Sequence, residues 1–238
     1  MKVVILCGGM GTRLREETEF KPKPLVTIGE KPILWHIMKN YSHYGFNDFI
    51  LCLGWKGDMI KEYVKNHDWD KEWDITMVDT GLNTKTAGRL KLVEGYLQDE
   101  TFMLTYGDGV ADMNIPKLLK YHKDMGKIGT ITGVRPFSKY GVVKIENGLV
   151  TEFKEKPILD DWINGGYMVF NRKIFDHIQL DDDCMLVEKT LPDLSFLKEL
   201  AIYQHYGFWH CMDTYKEFTD LNKIWDSGKC PWEIWKYD

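Results

Sequence analysis

The sequence predicts an α/β fold, a mixed and mostly parallel sheet flanked by helices, with a small β-hairpin elaboration in the second half. Two observations carry this. Short apolar runs alternate with amphipathic stretches of helical period through the N-terminal part of the chain, the pattern of strands joined by crossover helices. Beyond residue 125 an Asn-Gly dipeptide stands between two strand-like runs, the strongest short-range signal for a hairpin.

The first strand is read over Lys2 to Cys7. Pro32 stands where a helix begins, and Ile33, Leu34, Ile37, Met38 and Tyr41 form one apolar stripe that stops at Gly45. Phe49 to Leu53 is a second strand, Asp58 to Asn66 a helix, Asp74 to Val78 a third strand, Thr84 to Leu97 a helix and Thr101 to Tyr106 a fourth strand. In the second half, Ile128 to Gly133 is a strand, and Val142 to Ile145 pairs with Leu149 to Phe153 across Glu146-Asn147-Gly148. Gly165 to Phe170 follows as a strand, then helices over Val187 to Leu200 and Asp213 to Trp225 flank a strand at Ala201 to Tyr206. With no Pro/Gly/Ser-rich linker and no long repeat, residues 1–238 are read as one domain with halves 1–125 and 126–238.

Composition excludes several classes. A chain of 238 residues buries about 70% of its unfolded surface without needing disulfide or metal staples. Its 44% hydrophobic and 28% charged residues exclude disordered, collagen-like and low-complexity classes. Lys and Arg number 31 against 36 Asp and Glu, a net charge of −5, so no nucleic-acid partner is expected, whereas a local basic pocket for a phosphorylated small molecule is compatible. The longest apolar runs, such as Val3 to Cys7 and Phe49 to Leu53, fall far short of the ~20 residues of a membrane span. No membrane crossing and no secretory signal are expected. Five scattered cysteines without Cys-x-x-Cys point to a reducing cytoplasm and free thiols. His205 and His210 make a poor metal pair without further ligands.

The informative segment is Leu6-Cys7-Gly8-Gly9-Met10-Gly11-Thr12-Arg13-Leu14 at the end of the first strand. Glycines there let backbone N–H groups approach a phosphate or base, and the carboxyl edge of an open sheet is where ligands bind. The loop lacks the third glycine of the dinucleotide fingerprint and the Gly-Lys-Ser/Thr of a P-loop, and a tight strand-to-helix turn uses the same residues. Lys21-Pro22-Lys23-Pro24 is expected to stay extended, with both lysines to one side, as a cationic arm or as a solvated basic loop. Asp108, flanked by Gly107 and Gly109 at the end of the fourth strand, is either a carboxylate for a ligand or Mg²⁺ or part of a turn. Asp213-Thr214 offers a second carboxylate or a helix N-cap.

Gly8 to Leu14 together with Lys21-Pro22-Lys23-Pro24 resembles the signature of the sugar-phosphate nucleotidyltransferases, which make nucleotide sugars. Lys31-Pro32-Ile33-Leu34-Trp35-His36-Ile37-Met38, Val78-Asp79-Thr80-Gly81, Phe102 to Ala111, Trp162-Ile163-Asn164-Gly165-Gly166 and Pro231-Trp232 extend the resemblance over nearly the whole chain, nearest to the family's cytidylyltransferases. The resemblance implies a Rossmann-like nucleotidyltransferase fold with a nucleotide-binding first half and an acceptor-binding second half. It implies attack by a sugar 1-phosphate, glucose 1-phosphate first, on the α-phosphorus of CTP. The products would be pyrophosphate and a CDP-sugar for surface-polysaccharide precursors. Leu6, Cys7, Gly8, Gly9, Gly11 and Thr12 would hold the nucleotide, with Thr84, Arg89 and Gly107. Arg13 would hold the leaving pyrophosphate, Lys23 the phosphates at the reacting centre, and Asp108 and Asp213 the cofactor Mg²⁺. Lys156, Asn164 and Gly165 would meet the acceptor, with Trp162 and Trp209 as walls. From the residues alone, Thr84 is equally a helix N-cap, Lys156 a strand-end lysine and Asn164 a turn former.

The chain departs from the family in two places. Between the Lys61-Glu62-Tyr63 helix and Val78 it is about twenty residues short, in a segment that would cover the nucleotide or build a subunit contact, which leaves lid behaviour and oligomeric state open. On the acceptor side, Ser138 to Lys144 and Val187-Glu188-Lys189 replace the family's patterns. The same chemistry on a glycerol or other polyol phosphate, or with another nucleoside triphosphate, is therefore the alternative, with a non-catalytic nucleotide-binding subunit as a remote third. A homo-oligomer is left open.

Overall fold

The computed structural model describes residues 1–67, 69, 71–179 and 184–236. In chain order its strands are β1 (Val3–Leu6), β2 (Thr27–Ile28), β3 (Lys31–Pro32), β4 (Asp48–Leu53), β5 (Asp74–Asp79), β6 (Thr101–Tyr106), β7 (Gly109–Ala111), β8 (Gly129–Val134), β9 (Val142–Glu146), β10 (Leu149–Lys154), β11 (Ile163–Asn171), β12 (Leu200–Gln204) and β13 (Trp209–Cys211). The α-helices are α1 (Arg15–Thr18), α2 (Ile33–His43), α3 (Gly57–Asn66), α4 (Thr86–Leu92), α5 (Ile115–Met125), α6 (Leu191–Phe196) and α7 (Tyr215–Asp226).

Seven strands form one sheet in the order β12-β8-β11-β6-β1-β4-β5. Pairing is parallel from β6 through β1 and β4 to β5 and between β12 and β8, while β11 runs antiparallel to both β6 and β8. The expected mixed, mostly parallel sheet is thus present. Side chains alternate between its faces: Val3, Ile5 and Cys7 enter one core with α2, and Val4, Leu6, Ile50 and Cys52 enter the other with Leu90 and Phe102. The chain leaves β1 for β4 on one side and later returns to place β6 on the other. That reversal makes the carboxyl ends of β1 and β6 a topological switch point, the crevice where open α/β sheets bind ligands.

Several boundaries differ from the sequence reading, each for a local reason. The helix expected over Thr84 to Leu97 is α4, followed by a separate 3₁₀ turn at Glu94–Tyr96. The helix expected over Val187 to Leu200 begins as a π turn, Leu186–Thr190, and continues as the shorter α6. Pro192 sits in the first turn of α6, where its missing N–H costs nothing. Leu200 opens β12 instead. No element was expected between Tyr106 and Ile128, yet α5 lies there, capped by Asn114 through the Lys117 N–H at 3.0 Å and closed by Gly126 at φ 60°. The hairpin is β9 and β10, and Asn147 (φ 51°) and Gly148 (φ 79°) form its two-residue turn, both in the left-handed region that a type I′ turn demands. Val143, Ile145, Val150 and Phe153 share one exposed face of this hairpin, and Lys144 and Glu152 pair on the other at 2.6 Å.

All five cysteines are free thiols. No helix among the described residues is long and apolar enough to cross a membrane.

Candidate active site

The glycine loop leaves β1 and the Gly107-Asp108 turn leaves β6, and because these strands are neighbours the two turns meet at the switch point. Between them opens a cleft of about 310 Å³. Leu6, Cys7, Gly8, Gly9, Gly11, Thr12, Arg13, Lys23, Thr84, Arg89, Gly107 and Asp108 all line it. Lys85, Thr86, Tyr106 and Met185 line it as well. None of these four was singled out from the sequence.

Asp108 and Asp213 are brought together by the antiparallel β7–β13 ribbon, in which Gly109 faces Cys211, and by the Met212 N–H donating to the Asp108 carbonyl at 2.8 Å. The N-cap of α7 is Thr214: its hydroxyl accepts from Glu217 N–H, and Glu217 Oε2 accepts from the N–H groups of Thr214 and Asp213 at 2.9 and 2.8 Å. This capping box leaves the Asp213 carboxylate for other partners. Its Oδ2 receives Arg13 at 2.9 Å, and its Oδ1 receives Lys23 Nζ at 2.5 Å. The same ammonium reaches Asp108 Oδ2 at 2.7 Å. Burial of Lys23 disfavours its charge, but Asp108 and Asp213 outweigh that and hold its pKa above the ordinary lysine value. Arg13, by contrast, has 71% of its side chain exposed at the mouth of the cleft.

The expected extended arm is corrected here. Pro22 is extended, but Lys23–Leu25 is a 3₁₀ turn with Pro24 in its first positions, a place where proline is preorganised. The two lysines therefore diverge, Lys21 to Glu17 at 3.1 Å and Lys23 to the two aspartates.

Arg89 is 4% exposed, and its guanidinium donates to the carbonyls of Leu53 (2.9 Å), Gly81 (2.8 Å), Gly8 (3.1 Å) and Leu82 (3.3 Å) and to Thr80 Oγ1 (2.7 Å). Thr84 is buried one residue before Lys85, the N-cap of α4, so it is not the cap that the sequence also allowed. Of the acceptor-side residues, Lys156, Asn164 and Gly165 do not line this cleft. Lys156 stands at φ 45° after the hairpin, its Nζ 3.4 Å from Glu155. Asn164 turns its Oδ1 onto Gly166 N–H at 2.9 Å and leaves a buried Nδ2 without a partner. Gly165 offers its carbonyl to Trp209 Nε1 at 2.7 Å, which ties β11 to the ribbon bearing the carboxylates. Trp162 packs edge-on against Tyr206. His205 and His210 go to Phe208 and Asp112, and to the Cys211 carbonyl, respectively.

Two side-chain sets group donor atoms closely enough to face a divalent cation. Cys211, Asp213 and Glu217 bring one ligand atom each within 4.8 Å of one another. That set does not suit Mg²⁺: burial, then Glu217, Asp213 and Asp108, pushes the Cys211 thiol up to about 12, and Glu217 Oε2 is engaged by two backbone N–H groups. Asp108 and Asp213 fit, because both are hard carboxylate donors whose oxygens converge on a single cationic point.

Comparisons with known proteins bear on the family of the chain. Residues 2–214 match the family model described as nucleotidyl transferase. The chain is 44% identical to a Bacillus subtilis (strain 168) protein named a probable glucose-1-phosphate cytidylyltransferase, over 99% of this chain and all of that one. It is likewise 44% identical to the glucose-1-phosphate cytidylyltransferase of Salmonella typhi, over 99% of this chain and 100% of that protein. The latter alignment runs over 258 positions, against 238 residues in this chain. Among solved structures, HddC from Yersinia pseudotuberculosis superposes with a TM-score of 0.71 at 24% identity, covering 94% of this chain and 99% of that one. A Rossmann-like switch-point cleft, a family model matching residues 2–214 and relatives matched over their full length lead to one conclusion: the chain belongs to the nucleotidyl transferase family.

Proposed function

We propose that this protein is a Mg²⁺-dependent cytidylyltransferase that joins CTP to a sugar 1-phosphate, glucose 1-phosphate first, giving a CDP-sugar and pyrophosphate. The observation that carries the reading is the convergence of Arg13, Lys23, Asp108 and Asp213 beside the glycine loop, in a chain whose full-length relatives bear the name glucose-1-phosphate cytidylyltransferase.

An oxygen of the acceptor phosphate attacks the α-phosphorus of CTP; one P–O bond forms as the bond to the bridging oxygen of the β-phosphate breaks, and pyrophosphate leaves. The acceptor phosphate is already ionised at neutral pH, so no general base is required and the barrier falls chiefly through positive charge held in place. Backbone N–H groups between Leu6 and Thr12 receive the nucleotide, with Thr84 and Gly107 on its flanks. The exposed Arg13 pairs with the departing pyrophosphate, and Lys23 follows the phosphates at the reacting centre. Asp108 and Asp213 would hold Mg²⁺, which when bound supplies charge neutralisation across the phosphates. Arg89 acts through the loop it fastens rather than by touching the nucleotide, since its donors lie on protein oxygens. Lys156, Asn164 and Gly165 receive the acceptor. The CDP-sugar would serve surface-polysaccharide precursor synthesis in the cytoplasm.

A pyrophosphate-release assay with Mg²⁺ and a panel of acceptors tests the reading. Turnover is expected with CTP and glucose 1-phosphate, and less with UTP, dTTP or GTP. Turnover with glycerol 3-phosphate and none with glucose 1-phosphate would replace the sugar by a polyol.

A further inference from the structure

We infer that Lys23 serves as a built-in stand-in for the divalent cation, closing the Asp108–Asp213 pair to free metal until a polyphosphate draws its ammonium away. The inference rests on the functional reading above for the identity of the polyphosphate, a nucleoside triphosphate, but its argument is local to three side chains.

Lys23 Nζ lies 2.7 Å from Asp108 Oδ2 and 2.5 Å from Asp213 Oδ1. A magnesium ion binds carboxylate oxygen at about 2.1 Å, so a metal taking these two oxygens would lie within a few ångströms of the ammonium now bonded to both. Two cations that close repel each other strongly in a partly desolvated cleft. Metal and lysine therefore compete for the same two atoms. The lysine holds the advantage in the free protein because it is tethered: Leu25 N–H donates to the Pro22 carbonyl at 2.8 Å and Val26 N–H to the Lys23 carbonyl at 3.0 Å, fixing the backbone from which it reaches. A tethered ligand acts at high effective concentration.

The same geometry supplies the release. Lys23 lines the cleft beside the glycine loop, and its four-carbon stem can swing while the backbone stays put. An arriving triphosphate offers the ammonium a stronger anionic partner, and the two carboxylates, left facing each other, then require a cation. Arg13 remains on the outer oxygen of Asp213 at 2.9 Å and keeps that carboxylate oriented meanwhile. The outcome is positive coupling between nucleotide and metal, and by linkage each raises the affinity of the other by the same factor. Neither needs to change the fold.

Titration of Mn²⁺ into nucleotide-free protein, read by calorimetry and by the loss of the free-ion paramagnetic resonance signal, tests the inference without any turnover. The full-length wild-type chain is compared with Lys23→Met, which keeps the side-chain volume and removes the charge. Lys23→Met is expected to bind one Mn²⁺ at least about tenfold more tightly, and adding Asp108→Asn to it should abolish that gain. The melting temperature provides a second readout: Mg²⁺ alone should raise it for Lys23→Met and leave the wild type nearly unmoved. Equal Mn²⁺ affinity in the two proteins, or micromolar one-site binding to the nucleotide-free wild type, overturns the inference. The latter result needs no variant and stands even where Lys23→Met fails to fold. If the metal competition holds while CTP and glucose 1-phosphate give no product, the stand-in role survives and the functional reading alone falls.

Discussion

Arg89 and Gly8 are locked face to face: the guanidinium Nη2 donates to the Gly8 carbonyl at 3.1 Å, and a Cβ on Gly8 would lie 2.2 Å from the guanidinium carbon. The same side chain holds the carbonyls of Leu53, Gly81 and Leu82, so one buried cation joins the ends of β1, β4 and β5. Replacing it by lysine leaves a single ammonium to serve oxygens spread over three loops. Arg89→Lys should lower stability by about 2–4 kcal/mol, since buried acceptors lose their donors, and should raise the KM for CTP as the loop loosens. Urea unfolding and steady-state kinetics check both.

Asp108 tests the proposed metal carboxylates from the opposite direction. Asp108→Asn keeps the shape of the turn and an oxygen for Lys23 but removes the charge. Turnover should drop by about 10²–10³-fold, the range expected when one element of transition-state charge stabilisation is lost, while near-ultraviolet circular dichroism stays unchanged. Retained activity would remove Asp108 from the site.

Thr214 is predicted to matter for stability and for placement together. Thr214→Ala deletes one half of the capping box on α7, which costs about 1 kcal/mol. Because Glu217 also fixes the Asp213 N–H, turnover should fall by more than that modest destabilisation alone explains. Thermal melts and kcat measured side by side separate the two effects.

His36 sets a pH limit on the fold. It is 1% exposed among Trp35, Trp225, Trp232 and Trp235. The Trp232 indole can only donate, so His36 Nδ1 accepts from it at 3.3 Å and the Nε2 proton goes to the Ile28 carbonyl at 3.1 Å. Burial, opposed by its carbonyl partner and Glu233, lowers its pKa from 6.5 to about 4. The unfolded chain therefore takes up the proton first as pH falls. The stability that this neutral ring contributes is complete above pH 6.5 and is lost progressively down to about pH 4, a decline of about 3 kcal/mol by linkage. Urea midpoints measured from pH 7.5 to 4 should show this slope in the wild type and a shallower one in His36→Asn.

Much of this architecture was legible in the order of residues. The apolar runs at Val3, Phe49, Asp74 and Thr101 gave four neighbouring strands, and the Asn147-Gly148 turn came out at its expected place because its demand on backbone dihedrals is local. The glycine loop was legible for the same reason. The meeting of Asp108 with Asp213 was not: it depends on β7 and β13, three residues each, too short to show a period. The Arg89 clamp was hidden differently. Its acceptors are mostly backbone carbonyls of residues 8, 53, 81 and 82, and a carbonyl carries no identity in the sequence. Lys21 and Lys23 parted company because a 3₁₀ turn intervened where two prolines argued for extension. The helix over Ile115–Met125, with Asn114 before it and Gly126 after it, had both of its end signals in view and could have been found from them.

The antiparallel strand β11 lies between β6 and β8, and this has a consequence for how the molecule is made. On a ribosome the first four parallel strands emerge in full while β6 still presents a bare hydrogen-bonding edge, and its partner at residues 163–171 arrives only after α5, β8 and the hairpin have been synthesised. An exposed edge of apolar residues such as Phe102, Met103 and Leu104 is a template for unwanted pairing. The nascent first half therefore depends on prompt delivery of the second, and chains truncated before Ile163 should collect as aggregates rather than as soluble half-proteins.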